Sequence, residues 1–140
     1  MGSIFESKEL LIFDGGMGTM LQAHGLKAGE LPERWNISNP EKILEIHKAY
    51  IDAGADIITT NTFGANRYKL KGSGCSCGEI IESAVKIAKE AAGSKLTAHD
   101  IGPIGQLMEP YGTLSFRDAY DAFREQVVAG AAAGADMILI

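Results

Sequence analysis

Four short apolar runs divide the chain at nearly even spacing, and a segment with helical periodicity separates each run from the next. The runs begin near Leu10, Asp56, Leu96 and Asp136, at steps of 46, 40 and 40 residues. Strands that alternate with helices are typical of βαβ units, in which neighbouring strands pair in parallel. The pattern therefore predicts an α/β fold with four parallel strands and intervening helices.

The length of the chain limits how much of a larger fold it supplies. A closed eight-stranded parallel barrel takes about 200 to 250 residues. The 140 residues are about half of that. We therefore expect a single domain over residues 1–140, the N-terminal half of a (β/α)8 TIM barrel that stops after its fourth strand.

The predicted elements follow from apolar periodicity and from glycine and proline positions. Strands are expected at residues 10–13, 56–61, 96–101 and 137–140, and helices at 19–24, 40–51, 79–92 and 116–133, with an irregular loop over 26–39. Asn39 and Ser115 are the expected N-caps of the second and fourth helices. Gly54 is expected to end the second helix with a positive φ.

An internal echo supports this division of the chain. Residues 53–58 (AGADII) and 133–138 (AGADMI) are nearly the same hexapeptide, 80 residues apart. In both copies a helix is predicted to end at glycine and a buried strand to begin after aspartate. Short turns from helix to strand need that glycine, and the aspartate can bind backbone at the start of the strand. The echo is therefore interpreted as structural.

Polar side chains gather where the predicted strands end. The first strand ends at Asp14, the second at Asn61 and the third at Asp100, and each is followed within three residues by glycine. Ligands of parallel α/β folds bind beyond the carboxyl ends of the strands. A glycine there lets a ligand approach the backbone. Each side chain alone suits a turn as well, but three at one rim favour a binding site.

Other candidate groups at the rim carry weaker signals. Residues 15–18 follow a strand but lack the further glycine or the Gly-Lys-Ser/Thr that a phosphate loop needs. His99 adjoins Asp100, and since strand alternation lets only one of them point inward, the acid is chosen. His24 and His47 fall in helical segments and are expected to lie at the surface or pack in the core rather than act as ligands.

Two cysteines, Cys75 and Cys77, are separated by one residue. A structural zinc site needs about four ligands, and no partner lies near these two in the sequence. They are too close for a relaxed disulfide. We expect exposed loop thiols and no metal ligands in this chain.

Composition narrows the function classes. The formal net charge is −5 without a basic cluster, which argues against nucleic acid and anionic membranes as partners. No apolar stretch reaches the roughly 20 residues of a membrane span, and no secretory signal opens the chain. We expect a cytoplasmic protein.

Three motifs resemble the homocysteine S-methyltransferase family, above all its cobalamin-dependent members. They are residues 11–19 (LIFDGGMGT), 60–67 (TNTFGANR) and 100–105 (DIGPIG), and their order and spacing agree across essentially the whole chain. The resemblance implies a (β/α)8 barrel that methylates the sulfur of homocysteine to give methionine. It also implies a zinc ion held by three cysteine thiolates and, in the parent enzyme, cobalamin.

The resemblance assigns substrate-binding roles to five positions of this chain and assigns no metal ligand to it. It implies that Asp14 and the Gly15 backbone bind the amino-acid end of homocysteine, that Asn61 and Thr62 line the same pocket, and that Asp100 shapes its rim. The three zinc thiolates belong to the later half of the barrel, so the ligands lie outside this chain. We expect no catalytic residue and no bound cofactor here, and an inactive fragment.

Two further hypotheses remain open, and one expectation concerns assembly. A different barrel enzyme, of aldolase or hydrolase type, would use Asp14 and Asp100 as acid and base. A non-catalytic half barrel would serve as an assembly or binding module. A half barrel leaves one face and two strand edges bare, and we therefore expect self-association.

Overall fold

The computed structural model describes residues 10–140 as an α/β fold with a three-stranded parallel sheet, and residues 1–9 of the predicted domain lie outside the described residues. The strands are β1 (Ile57–Thr59), β2 (Leu96–Asp100) and β3 (Met137–Leu139), in the order β1-β2-β3. The helices are α1 (Met17–Ala23), α2 (Trp35–Ser38), α3 (Pro40–Asp52), α4 (Cys77–Ala92) and α5 (Phe116–Ala132), with a 3-10 turn at Pro32–Arg34.

The first predicted strand lies beside β1 but pairs with it at one residue only. Phe13 forms a single parallel bridge to Ile57, and the Asp14 N–H donates to the Ile57 carbonyl over 3.0 Å. Leu10 is 73% exposed, and Ile12 is 53% exposed, so this segment packs weakly on the rest of the chain. The first predicted strand is therefore not confirmed as a regular strand, and the four-stranded half barrel stays a prediction.

The strand β1 is shorter than predicted for a definite reason. Its register pairs Thr59 with Ala98, and Thr60 still donates its N–H to the Ala98 carbonyl. Beyond that point the Thr60 hydroxyl accepts the N–H of Asp100. A side chain thus replaces the backbone acceptor, and the ladder ends two residues before the predicted limit of 61.

The helices bury their apolar faces against one another and the sheet. In α4 the buried positions recur at helical spacing, among them Ile80, Ala84 and Ile87. This helix lies between α3 and α5 and packs on β1 and β2. A second apolar cluster joins Leu21 of α1 to Ile46 of α3. The predicted amphipathic helices are confirmed.

Helix ends agree with the sequence in most places. Gly54 has φ +107° after α3, as expected. The Ser115 hydroxyl accepts the Asp118 N–H over 3.1 Å, so the predicted cap of α5 is confirmed. Asn39 makes no side-chain cap bond, so its predicted capping role is wrong, although Pro40 does begin α3. The Asn39 side-chain amide donates to the Ser38 hydroxyl instead.

The segment 26–39, predicted to be an irregular loop, contains the 3-10 turn and α2, and that prediction is wrong. Trp35, the first residue of α2, is 8% exposed and packs in the cluster with Leu21, Ile43 and Ile46. Burial of this aromatic side chain outweighs the lack of helical periodicity in its surroundings. In the described part of the chain, no helix has the length and apolar character needed to cross a membrane.

Candidate functional site

Asp14 is fixed at the end of the first segment by the neighbouring strand. Its carboxylate accepts the Thr59 N–H over 2.9 Å and the Thr59 hydroxyl over 2.6 Å. Burial raises the pKa of Asp14, and the two bonds from Thr59 oppose that rise. The side chain is therefore an oriented, half-buried acid.

Asp100, the last residue of β2, lies within electrostatic reach of Asp14. Burial raises the pKa of Asp100, and the negative charge of Asp14 raises it further. Within residues 10–140 neither carboxyl group takes part in an ion pair. The structure thus places two of the predicted site residues near enough for the charge of Asp14 to act on Asp100.

The Gly15 backbone is placed by Tyr50 of α3. A Cβ atom at Gly15 would lie 2.8 Å from Cε1 of Tyr50, and the Tyr50 hydroxyl donates to the Gly16 carbonyl over 3.1 Å. A side chain at this position would displace the Tyr50 ring. The turn after Asp14 is consequently held with its backbone exposed beside the two acids.

Asn61 is buried and joined to the segment before α3. Its amide donates to the Pro32 carbonyl over 2.8 Å and to Asn36 Oδ1 over 3.2 Å, and Asn36 donates back to the Asn61 carbonyl. Both amide hydrogens of Asn61 are therefore used within the protein. A pocket role for Asn61 stays a prediction.

Thr62 has no exposed surface, and its hydroxyl is surrounded by protein groups. It donates to the Asp100 carbonyl over 2.7 Å, and it lies 2.6 Å from the Thr60 hydroxyl and 3.1 Å from His99 Nδ1. The predicted pocket role of Thr62 is untested, but the hydroxyl is oriented toward Asp100 and His99.

His99 lies on the helix side of β2. Its Nε2 is 3.2 Å from the Gln126 carbonyl of α5, and a Cβ atom at Gly130 would lie 2.3 Å from its Cδ2. Burial lowers the pKa of His99, and the Gln126 carbonyl partly offsets this. His99 thus packs against α5 while Asp100 lies toward Asp14, as strand alternation requires.

The other glycines at this rim are filled by protein neighbours. A Cβ atom at Gly64 would lie 2.6 Å from Oε1 of Glu33, which accepts the Gly64 N–H. At Gly102 a Cβ atom would lie 2.3 Å from the Phe63 carbonyl. At Gly64 and Gly102 the space that a Cβ atom would take is occupied by Glu33 and Phe63 of the chain itself. The expectation that these two glycines let a ligand approach the backbone therefore does not hold.

The two cysteines differ from each other. Cys77 is the first residue of α4 and is 4% exposed, and its thiol donates to the Ala65 carbonyl over 3.0 Å. Burial raises the pKa of the Cys77 thiol to about 12. The expectation of two exposed loop thiols is therefore wrong for Cys77, whereas Cys75 is half-buried. No three His, Cys, Asp or Glu side chains group as a metal site between residues 10 and 140.

Sequence reasoning missed the residues that hold the acids in place. Thr59, Thr60 and Tyr50 each bond directly to a predicted site residue or its neighbour. Strand alternation at β1 is the one signal that pointed to the first two, because Thr59 and Thr60 must face opposite sides of the sheet. Nothing in the sequence pairs Tyr50 with Gly15, which lies 35 positions earlier.

Comparisons with known proteins agree with the motifs. The family model described as homocysteine S-methyltransferase matches residues 11–140. The metallated form of the homocysteine methyltransferase MmuM from Escherichia coli is similar with a TM-score of 0.82 and 26% identity, over 96% of this chain and 54% of that one. Its apo form is similar with a TM-score of 0.70 and 29% identity, over 96% and 50%. The chain spans about half the length of these structures.

Proposed function

The chain belongs to the homocysteine S-methyltransferase family, and on that premise we propose that it is part of an enzyme that methylates the sulfur of homocysteine to give methionine. The family match across residues 11–140 carries this proposal. Residues 1–140 would form the N-terminal half of a (β/α)8 barrel domain. This portion alone holds part of the substrate pocket and does not catalyse the reaction.

The role of this half is to bind the amino-acid end of homocysteine. The substrate ammonium lies between the carboxyl groups of Asp14 and Asp100, whose repulsion it relieves. The exposed backbone at Gly15 binds the substrate carboxylate. Asn61 and Thr62 border the pocket from the end of β1. A hydrogen bond to a charged group contributes roughly 1.5–3 kcal/mol, so each acid has a measurable share of the affinity.

The sulfur end needs groups that residues 10–140 do not provide. A zinc ion keeps a bound thiol deprotonated at neutral pH, and three thiolates are needed to hold it in this family. The Cys77 thiol is buried and has a pKa of about 12, so it does not fit that role. The zinc ligands and any cobalamin site of the parent enzyme therefore lie outside this chain, which we expect to bind neither.

We assign the protein to the cytoplasm, with no nucleic-acid or membrane partner.

We also expect the half barrel to self-associate, because large apolar side chains are exposed at both edges of the sheet. Leu10, Ile12 and Phe13 lie beside β1, Ile140 follows β3, and all four are more than 40% exposed. Burial of such a surface is favourable at about 25 cal/mol per Å². Multi-angle light scattering over a range of concentrations measures it, and a monomer throughout would count against it.

Calorimetric titration with L-homocysteine tests the binding role. We expect weak binding that Asp14→Asn or Asp100→Asn reduces about tenfold or more, the loss expected for one charged hydrogen bond. Asp52→Asn, at the exposed end of α3, is the matched control and leaves the affinity unchanged. L-homoserine binds as well as homocysteine, because this half does not hold the sulfur.

Two results would contradict the proposal. If homocysteine does not bind at millimolar concentration, the non-catalytic half-barrel module is favoured. If a homocysteine analogue without its amino group binds equally well, the acids do not hold an ammonium. Zinc bound stoichiometrically by the chain would refute the assignment of its ligands to other residues.

A further inference from the structure

The backbone of Asp100 is held from both sides by two threonine hydroxyls. The Asp100 N–H donates to Thr60 Oγ1 over 3.2 Å, and the Asp100 carbonyl accepts from Thr62 Oγ1 over 2.7 Å. The two hydroxyl oxygens are 2.6 Å apart. These contacts close a ring around Asp100 that no backbone pairing supplies. All members of the ring except Asp100 are buried.

Counting the protons in this ring fixes the direction of each bond. Thr60 and Thr62 have one hydroxyl proton each. The Thr62 proton is needed at the Asp100 carbonyl, so the contact between the hydroxyls uses the proton of Thr60. The ring then has no proton left for any other acceptor.

His99 brings one more acceptor to these hydroxyls: its Nδ1 lies 3.5 Å from Thr60 Oγ1 and 3.1 Å from Thr62 Oγ1, so the hydroxyl of Thr62 is the nearer one. Its Nε2 faces the Gln126 carbonyl, which can only accept, so Nε2 has the proton. Burial lowers the pKa of His99, so the ring is neutral at pH 7 and its Nδ1 is an acceptor 3.1 Å from Thr62 Oγ1. The Asp100 carbonyl and His99 Nδ1 therefore compete for the Thr62 proton, and the shorter distance favours the carbonyl.

We propose that Thr62 is a positioning residue for Asp100, and that His99 weakens this hold by competing for the same hydroxyl proton. Thr62 acts through Asp100, because its side chain is fully buried and its hydroxyl donates to the Asp100 carbonyl. When its proton is at the Asp100 carbonyl, the end of β2 is fixed and the Asp100 carboxyl group stays near Asp14. The relevance of this geometry to substrate binding rests on the proposed function.

The experiment measures the electrostatic coupling of the two acids without a ligand. NMR titration of the Asp100 carboxyl carbon gives its pKa with and without Asp14→Asn. In the wild-type chain, removal of the Asp14 charge shifts the Asp100 pKa down toward the ordinary value of 3.8. In the Thr62→Val background this shift becomes smaller because the carboxyl groups are no longer held together. Thr62→Ser keeps the hydroxyl and restores the full shift.

His99→Leu gives the opposite sign and separates positioning from general damage. It removes the competing acceptor, so the shift caused by Asp14→Asn is larger than in the wild-type chain, and an unchanged shift would refute the competing role of His99. Smaller shifts in both Thr62→Val and His99→Leu, or an unchanged shift in Thr62→Val, would overturn the proposal. Urea unfolding of each variant reports whether the fold is retained, and the comparison of Thr62→Ser with the wild-type chain applies even if one variant unfolds.

Homocysteine affinity is measured separately on the same variants. Thr62→Val should weaken binding about tenfold, as expected for one lost hydrogen bond, and Thr62→Ser should not. If the carboxyl coupling changes as predicted but no variant binds homocysteine, the proposed function fails while the positioning role of Thr62 holds. If homocysteine binds and the coupling is insensitive to Thr62, the positioning role fails alone.

Discussion

His47 should make the stability of the fold depend on pH between 4 and 6.5. Its ring has no exposed surface, and neither ring nitrogen has a hydrogen-bond partner among the described residues. Burial lowers the pKa of His47 from 6.5 to about 4. The unfolded chain therefore binds a proton at this residue at a higher pH than the folded chain does.

The sign and size of the effect follow from these two values. The contribution of His47 to stability is complete above pH 6.5 and is lost as the pH falls toward about 4. The loss is about 2 kcal/mol at pH 5 and about 3 kcal/mol once the pH is below both values. Typical stabilities are about 5–15 kcal/mol, so this one ring is a large part of acid sensitivity.

Replacement by an apolar side chain removes this dependence. His47→Leu buries no unpaired nitrogen, so we expect it to be at least as stable as the wild-type chain at pH 7.5. The advantage of His47→Leu over the wild-type chain in free energy of unfolding should be about 2 kcal/mol larger at pH 5 than at pH 7.5. Urea unfolding measures both free energies, and the fluorescence of Trp35, the single tryptophan, reports the transition because it is buried in the folded chain.

Comparing the wild-type chain with the His47→Leu variant separates the effect of His47 on stability from that of carboxyl groups that titrate in the same pH range. His24→Gln, at the partly exposed end of α1, is the matched removal of a histidine from outside the core. If His47→Leu loses stability in parallel with the wild-type chain between pH 7.5 and 5, the buried neutral ring is not the cause and the reasoning is refuted.

Two other predictions concern the start of α4. Ser76→Ala removes the capping box in which Ser76 and Glu79 bond each other's backbone, so the free energy of unfolding in urea should fall by about 1 kcal/mol, and an unchanged value would contradict this. Cys77 should react with a thiol reagent at pH 8 far more slowly than Cys75, because burial raises its pKa to about 12, and equal rates in the folded protein would disprove that burial.

The repeating elements were predictable from the sequence because they depend on local patterns. Helical spacing of apolar residues identified α3, α4 and α5, and glycines with positive φ end them. The two aspartates of the internal echo also behave alike. Asp56 accepts the Ile12 N–H over 3.2 Å, and Asp136 accepts the Thr97 N–H over 2.8 Å. Asp56 thus binds the irregular first segment and Asp136 binds β2, so both aspartates have the structural role that was expected.

Features that depend on distant partners were not predictable in this way. Trp35 makes α2 part of the core by packing in a cluster with residues of three other helices. Cys77 is buried in an apolar cluster with Ala65 and Leu70, which precede it in the loop, and its thiol donates to the Ala65 carbonyl. Asn61 is bound by Asn36, 25 positions earlier. None of these contacts has a sequence period or a turn signal, so composition and spacing gave the wrong environment for Trp35 and Cys77.

The candidate site was predictable in part. Alternation along β1 and β2 places its side chains on two faces of the sheet, whereas their partners lie far apart in the sequence. Thr59 binds Asp14 on one face of the sheet, and Asp100 lies near Asp14. On the other face Thr60 meets His99, which packs against α5. Because consecutive residues must face opposite sides, Asp100 cannot approach Asp14 unless its neighbour His99 faces α5. The contacts of His99 with α5 and the electrostatic effect of Asp14 on Asp100 therefore depend on the same strand geometry. A substitution that moves His99 should change the pKa of the Asp100 carboxyl group.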